Sequence, residues 1–252
     1  MRKLIAGTCL LTTMAVVGHS QSFEVASVKI NQSQGGEGNR QPPAVEPSPG
    51  NLTMRNVGMM QALIWAYKIS PLQISNPQLI GSDRYDILAK ANGPAKTDEM
   101  RVMLQALLAE RFKLTLHRET KEMSAYALVE AKGGHKLKES EDADGPGVTP
   151  VTNKMALSAK KASLDLLTMF LSQPLRTPCI DMTGLKGKYD FELDVSAYVP
   201  MDKEKREGDP PPDPVYVLQQ VLPKQLGLKL EARKLPVEML VIDHIEKKPI
   251  EN

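Results

Sequence analysis

Cysteine is nearly missing from this chain, with only Cys9 and Cys179 in 252 residues. Cys9 sits inside an apolar N-terminal stretch. If that stretch is removed, one thiol remains and no intramolecular disulfide can staple the fold. Aromatic residues are scarce at 4%, which leaves few rings for bases to stack on. Charge of one sign is lacking too: the formal net charge is +2, and losing Arg2 and Lys3 brings it to zero. Without a basic footprint, nucleic acid is a poor partner. No apolar run reaches the ~20 residues that span a bilayer. The histidines and cysteines show no CxxC-type or compact helical ligand spacing, so no metal is indicated, and no motif implies a cofactor.

What is present begins with a targeting pattern. Met1-Arg2-Lys3 is basic, Leu4 to Val17 is largely apolar, and small residues at Gly18, Ser20 and Ser22 suit a signal peptidase. Residues 1–22 are therefore expected to be a cleavable signal peptide, with the mature chain starting near Gln21 or Phe23 in a secreted or periplasmic location. Cys9 lies mid-run, where it does not serve lipidation.

Placed over residues 156–245, residues 52–131 show the same order of elements. At an offset of 104, Met60, Leu63 and Tyr67 fall on Leu164, Leu167 and Leu171, and Tyr85-Asp86 on Tyr189-Asp190. At 114, Met103, Leu104, Leu107, Leu108 and Phe112 fall on Val217, Leu218, Val221, Leu222 and Leu226. Apolar residues at these spacings form one buried face of a helix. The sequence thus predicts an α+β fold of two tandem, diverged helix-strand-helix-strand-strand units with mixed or antiparallel sheets. A short strand is expected before each first helix, at Asn51 to Met54 and Ala156 to Ser158. Each unit is expected to end in a hairpin, Lys113 to Arg118 with Ala125 to Ala131, and Leu228 to Ala232 with Met239 to Ile245. Thr97, Ser163 and Asp213 read as N-caps, and Gly227 as a left-handed turn residue.

The expected domains are 23–137, with a leading strand at Phe23 to Lys29 and a mobile loop over 31–50, and 155–252, with a Pro- and charge-rich loop inserted over 200–214. Residues 138–154, acidic and without apolar periodicity, read as a linker.

The blocks Phe23-Glu-Val-Ala-Ser-Val-Lys29, Tyr85-Asp-Ile87, Leu107-Leu-Ala-Glu-Arg-Phe-Lys-Leu114, Thr183-Gly-Leu-Lys-Gly-Lys-Tyr-Asp-Phe191 and Val241-Ile-Asp-His244 resemble the soil-associated secreted protein family of acidobacteria. The resemblance spans the mature chain and implies export, but no catalytic residues. Related domains fused to BlaR-type membrane metallopeptidases imply sensing or ligand binding. The segments Val102 to Val129 and Val215 to Ile242 look like the short N-terminal domain of secretins and TonB-dependent receptors, which implies protein partners.

Among single residues, His117 and Glu119 share one face of an expected strand and His244 follows Asp243; these read as strand histidines rather than ligands. Cys179, falling on Ser75 in a helix-to-strand connection, reads as a buried, idle thiol. Asp86 and Asp190, at equivalent places, read as a repeated structural device that holds a turn or bonds backbone amides. Trp65, Tyr67, Tyr85 and Tyr189 are the aromatic candidates for recognition, with Tyr67 on an apolar face. Met60, Met100 and Met103 read as core filling and Met59 as pointing elsewhere.

No catalytic, cofactor-binding or metal residue is assigned. The expected function is an exported, non-enzymatic binding or interaction module for a protein or cell-envelope partner. The alternatives are an extracellular hydrolase acting through Asp86, Asp181, Asp190 or Asp243, and an extracytoplasmic sensor domain for a membrane partner.

Overall fold

The computed structural model describes residues 22–31, 42–141, 145, 147–152, 154–199 and 212–250. Residues 1–21 of the expected signal peptide, the 32–41 part of the expected loop and the 200–211 part of the insertion lie outside the described residues.

The first half runs β1 (Val25–Ile30), β2 (Ala44–Ser48), β3 (Asn51–Gly58), α1 (Met59–Tyr67), β4 (Ile74–Ser75), β5 (Arg84–Lys90), α2 (Thr97–Phe112) and β6 (Thr115–Glu130). The second runs β7 (Lys138–Ser140), β8 (Gly147–Pro150), β9 (Ala156–Ala162), α3 (Leu164–Leu175), β10 (Cys179–Asp181), β11 (Lys188–Asp194), α4 (Pro214–Gln225) and β12 (Leu228–His244). The result is an α+β fold with sheets ordered β1-β5-β3-β2, β10-β6-β12-β4 and β7-β11-β9-β8. From β3 and from β9 onward, both halves read strand, helix, strand, strand, helix, strand.

Two expected connections contain strands. β2 lies within the expected loop and β7 and β8 within the expected linker, each at a sheet edge. An edge strand pairs on one side only and tolerates proline and polar residues, here Pro47 and Pro150, so it leaves little apolar periodicity to read.

The expected hairpins are absent. β6 and β12 are each one unbroken strand, antiparallel to each other from Leu228 opposite Glu130 to His244 opposite Thr115, with a bulge between Ile242 and His244. The stretch Glu119 to Ser124, which reads as a turn, is the middle of this ribbon, exposed except at Met123, which packs with Leu235, Val237 and Met239 of β12. Ion pairs Arg118–Glu238 and Lys121–Glu119 decorate it. At about 3.3 Å per residue the ribbon is roughly 50 Å long, long enough to serve two cores.

It serves both. Leu240 and Ile242, from the end of β12, pack with Leu52, Leu63, Ile87, Leu104 and Phe112 in the first core. Leu128, from the end of β6, packs with Leu167, Leu171, Val221 and Leu222 in the second, beside Leu228 and Leu230. β4 pairs in parallel with β12 and β10 in parallel with β6. Glu122 faces Pro236, the residue 114 positions further on. The offset that relates α2 to α4 therefore also relates the ribbon to itself, with Glu122 and Pro236 at its midpoint.

In α2 and α4 the register is as expected: Leu104, Leu107, Leu108 and Phe112, and Val217, Leu218, Val221, Leu222 and Leu226, are buried, with Met103 half-buried. α1 differs by one residue. Its buried positions are Met59, Ala62, Leu63 and Ala66, matching Leu164, Leu167, Thr168 and Leu171 at an offset of 105. Met59 is thus core and Met60 half-buried, the reverse of the expectation. α1 is apolar on almost every side, so periodicity selects its inner face poorly.

The caps follow ordinary chemistry. Asp213 accepts from the Val215 amide at 3.0 Å ahead of Pro214. Lys96 rather than Thr97 is the N-cap of α2, and its own amide donates to Glu99 at 2.7 Å. Ser163 is the α3 N-cap, without a side-chain cap bond. Gly227 has φ +65°, and a Cβ there would lie 2.3 Å from the Gly134 carbonyl oxygen.

Candidate functional site

The structure gives several sequence candidates structural work. Asp86 Oδ1 accepts from the Asn56 amide at 2.8 Å, and Asp190 Oδ1 from the Lys161 amide at 2.8 Å. Asn56 and Lys161 have φ of 50° and 51°, and each sits in a bulge opposite a tyrosine–aspartate pair, between Met54 and Val57 and between Ala159 and Ala162. Each carboxylate therefore fixes a kinked amide just before a helix. Asp86 also accepts both Asn31 Nδ2 contacts, at 2.9 and 3.0 Å. The Asp190 carboxyl is held below its ordinary range, chiefly by the Lys161 amide and then by Lys160 and Lys138.

Asp181 accepts from the amide and hydroxyl of Thr183 at 2.9 and 2.8 Å. Asp243 lies 2.9 Å from His117 Nδ1 on the exposed ribbon. None of the four aspartates named for a hydrolase lines either cavity described below. Among the described residues, no group of three His, Cys, Asp or Glu side chains is placed to hold a metal ion.

Cys179 is 3% exposed and lies in β10, where it takes the place of Ile74 in β4 rather than that of Ser75. Burial, helped by Asp181, pushes its thiol up to about 12. A thiol so placed is a poor nucleophile at neutral pH.

Tyr85 is buried, edge-on to Phe112 at 5.0 Å, and donates its hydroxyl to the Lys247 carbonyl at 2.7 Å. Tyr189 is buried and edge-on to His135 at 5.9 Å. Tyr67 packs half-buried on the first core, and desolvation raises its phenol. Trp65 differs: the Arg101 guanidinium lies 4.6 Å from its ring and donates to its carbonyl. This pair borders a cleft of about 370 Å³ between the halves.

The more apolar site is a half-open cavity of about 430 Å³ in the second half. α3 contributes Phe170, Leu171 and Pro174, α4 contributes Pro214, Val217 and Leu218, and β9 and β11 contribute Ala156, Leu157 and Leu193. Met155, Val195 and Val199 complete the wall, and Lys154 is the one ionisable lining residue among those described. Its ammonium lies 2.8 Å from Glu192 and 2.8 Å from Asp194. The pairing raises Lys154 and holds Asp194 near 2. Lys154 is thus already neutralised, and among the described residues its two partners leave an acid in excess beside it.

Sequence reasoning missed this cavity. Its walls come from segments that are far apart in the chain, and the available signal was indirect: prolines at 150, 174, 212 and 214 beside a long β11–α4 connection.

A family described as "Protein of unknown function (DUF3738)" matches residues 60–245. No curated protein and no solved structure matches the chain.

Proposed function

This chain belongs to the DUF3738 family of proteins of unknown function, and we propose that it is an exported, non-enzymatic binding module with a duplicated scaffold, whose second-half cavity takes the uncharged apolar part of a cell-envelope component. One observation carries the reading. At the positions equivalent to Leu157, Leu171, Leu193, Val195, Pro214 and Leu218 the first half has Leu52, Ala66, Ala89, Ala91, Met100 and Leu104, all buried in its core. In the second half Leu157 and Val195 are only half-buried and Pro214 is exposed, and all three line the cavity. An open apolar cavity of this size with few polar groups suits a small ligand or an acyl chain. Among the described residues, the acid excess beside Lys154 disfavours a carboxylate or phosphate head there.

The test is titration of the chain from Phe23 onward with the neutral fluorophore N-phenyl-1-naphthylamine. Saturable binding, displaced by a long-chain alcohol and lost in Val199→Trp, is expected. Binding that is absent, or indifferent to Val199→Trp, refutes the site. Hydrolysis of an envelope polymer that disappears in Asp243→Asn would install the hydrolase reading instead.

A further inference from the structure

A ribbon of two strands has two outer edges, and here one of them is open. β10 covers the β6 side at Tyr126 to Leu128, and β4 covers the β12 side at Leu240 and Val241. The Tyr126 amide donates outward to the Pro178 carbonyl, and the Leu128 carbonyl accepts from Met182. The register is unbroken from there to Leu116. Alternate residues therefore turn their N–H and C=O groups to the same edge: Leu116, Arg118, Thr120, Glu122 and Ser124. Among the described residues no strand pairs with this stretch, and Arg118 to Glu122 are all exposed.

The β12 edge is closed by contrast. Gln73 Nε2 donates to the Glu238 carbonyl and Asn76 Nδ2 to that of Ile242, each at 3.0 Å, so even-numbered residues face outward on this side too. Pro236 is one of them. It has no N–H to offer a further strand, and the ribbon loses no bond by it. Glu122, opposite Pro236 and equivalent to it, keeps its N–H.

Charge decides what the open edge accepts, since an edge strand dressed in charges turns most strands away. Two β6 edges paired antiparallel about Thr120 bring Arg118 opposite Glu122 of the second copy, and Glu119 opposite Lys121 of the second copy. Two-fold symmetry repeats both contacts, so every charge between Arg118 and Glu122 meets its opposite. Sliding the pairing by two residues, the smallest step that keeps the hydrogen bonds, sets Glu119 against Glu119 or Lys121 against Lys121. Within one chain Arg118 pairs with Glu238, and Lys121 with Glu119 at 3.1 Å. These side chains are about half exposed, so the pairs are weak and free to change partners.

We infer that the open edge of β6 is an interaction surface for a second copy of this chain, which adds its own β6 in the antiparallel register centred on Thr120 and continues the sheet across the pair. The shared edge is short, so the dimer is weak and forms at high concentration. It stands independently of the apolar cavity.

Sedimentation velocity of the chain from Phe23 onward, from micromolar to millimolar concentration, should show a reversible monomer–dimer equilibrium that weakens with sodium chloride. Hydrogen exchange in residues 116–124 should slow as the dimer forms. Lys121→Glu sets like charges opposite each other at both symmetry-related contacts and should raise the dissociation constant at least about tenfold. Glu119→Lys/Lys121→Glu exchanges the two charges, restores the match and should return the constant to within about threefold of the wild type. Thr120→Pro removes an N–H that the ribbon does not use and should abolish the dimer. Where Thr120→Pro also lowers the melting temperature, the charge exchange decides, because it changes exposed side chains only. A monomer at every concentration overturns the inference and leaves the edge to a strand of another protein. A dimer of equal strength in Lys121→Glu and in the exchanged variant overturns it too, since that dimer forms elsewhere.

Discussion

The two halves share a scaffold and differ in how they finish it. In the first, β5 passes to α2 through residues 91–96, and Met100 closes the core. In the second, β11 passes to α4 through residues 195–213, Pro214 stands where Met100 stands, and the space between α3, α4 and the sheet stays open. The same bulge, the same aspartate and the same parallel strand onto the ribbon occur in both. The difference ties the cavity to one connection, since the residues at the equivalent places a hundred residues earlier are all buried.

The largest effect should come from breaking the ribbon at either end. Leu240→Ala and Leu228→Ala each remove a fully buried side chain and should cost about 2–5 kcal/mol in urea unfolding. Their footprints should differ: hydrogen exchange should rise in α1 and α2 for the first and in α3 and α4 for the second, although both changes lie on β12. A footprint confined to the second half in both variants would show that β12 does not belong to two cores.

A smaller contrast concerns the turns that follow α2 and α4. Lys113 and Gly227 hold left-handed φ values of 48° and 65°. Gly227→Ala meets the Gly134 carbonyl and should cost more than the ~1–2 kcal/mol of the conformation alone. Lys113→Gly should be neutral or stabilise by up to about 1 kcal/mol, because it relieves the same conformation at some cost in chain entropy. Paired thermal melts decide it, and equal destabilisation by both would remove the equivalence of the two turns.

The smallest effect separates the halves by pH. Asp194 is held near 2 by Lys154 and Ser196, below its ordinary 3.8. A depressed carboxyl contributes stability above its unfolded value and loses it as pH falls through the folded one. Between about pH 4 and pH 2 the wild type should therefore lose melting temperature faster than Asp194→Asn. Parallel curves in that window would show that the Lys154 cluster does nothing for the second half.

Much of this architecture is legible in the chain. Leu104, Leu107 and Leu108 recur as Leu218, Val221 and Leu222 because α2 and α4 have one apolar side, and a helix with one apolar side declares its register. α1 hid its register because Met59, Met60, Ile64 and Trp65 surround it with apolar surface. The ribbon was misread because Glu119 to Glu122 is polar and exposed and only Met123 of this stretch packs, on a small cluster with Val237 and Met239. Asp86 and Asp190 were readable as a repeated structural device, since bonding a backbone amide needs only local geometry. The two cavities were not readable: Trp65 and Lys161, or Leu157 and Val217, meet only through the packing of elements whose spacing in sequence carries no trace of it.

The shared ribbon has a consequence for the time course of synthesis. Leu114 and its neighbours in the first core await Leu240 and Ile242, more than a hundred residues downstream, so contacts that seal the earliest part of the molecule form last. A chain delivered from its N-terminus cannot complete its first half while the rest is still being made. Both halves therefore complete their cores together, once β12 is available to pair with β6.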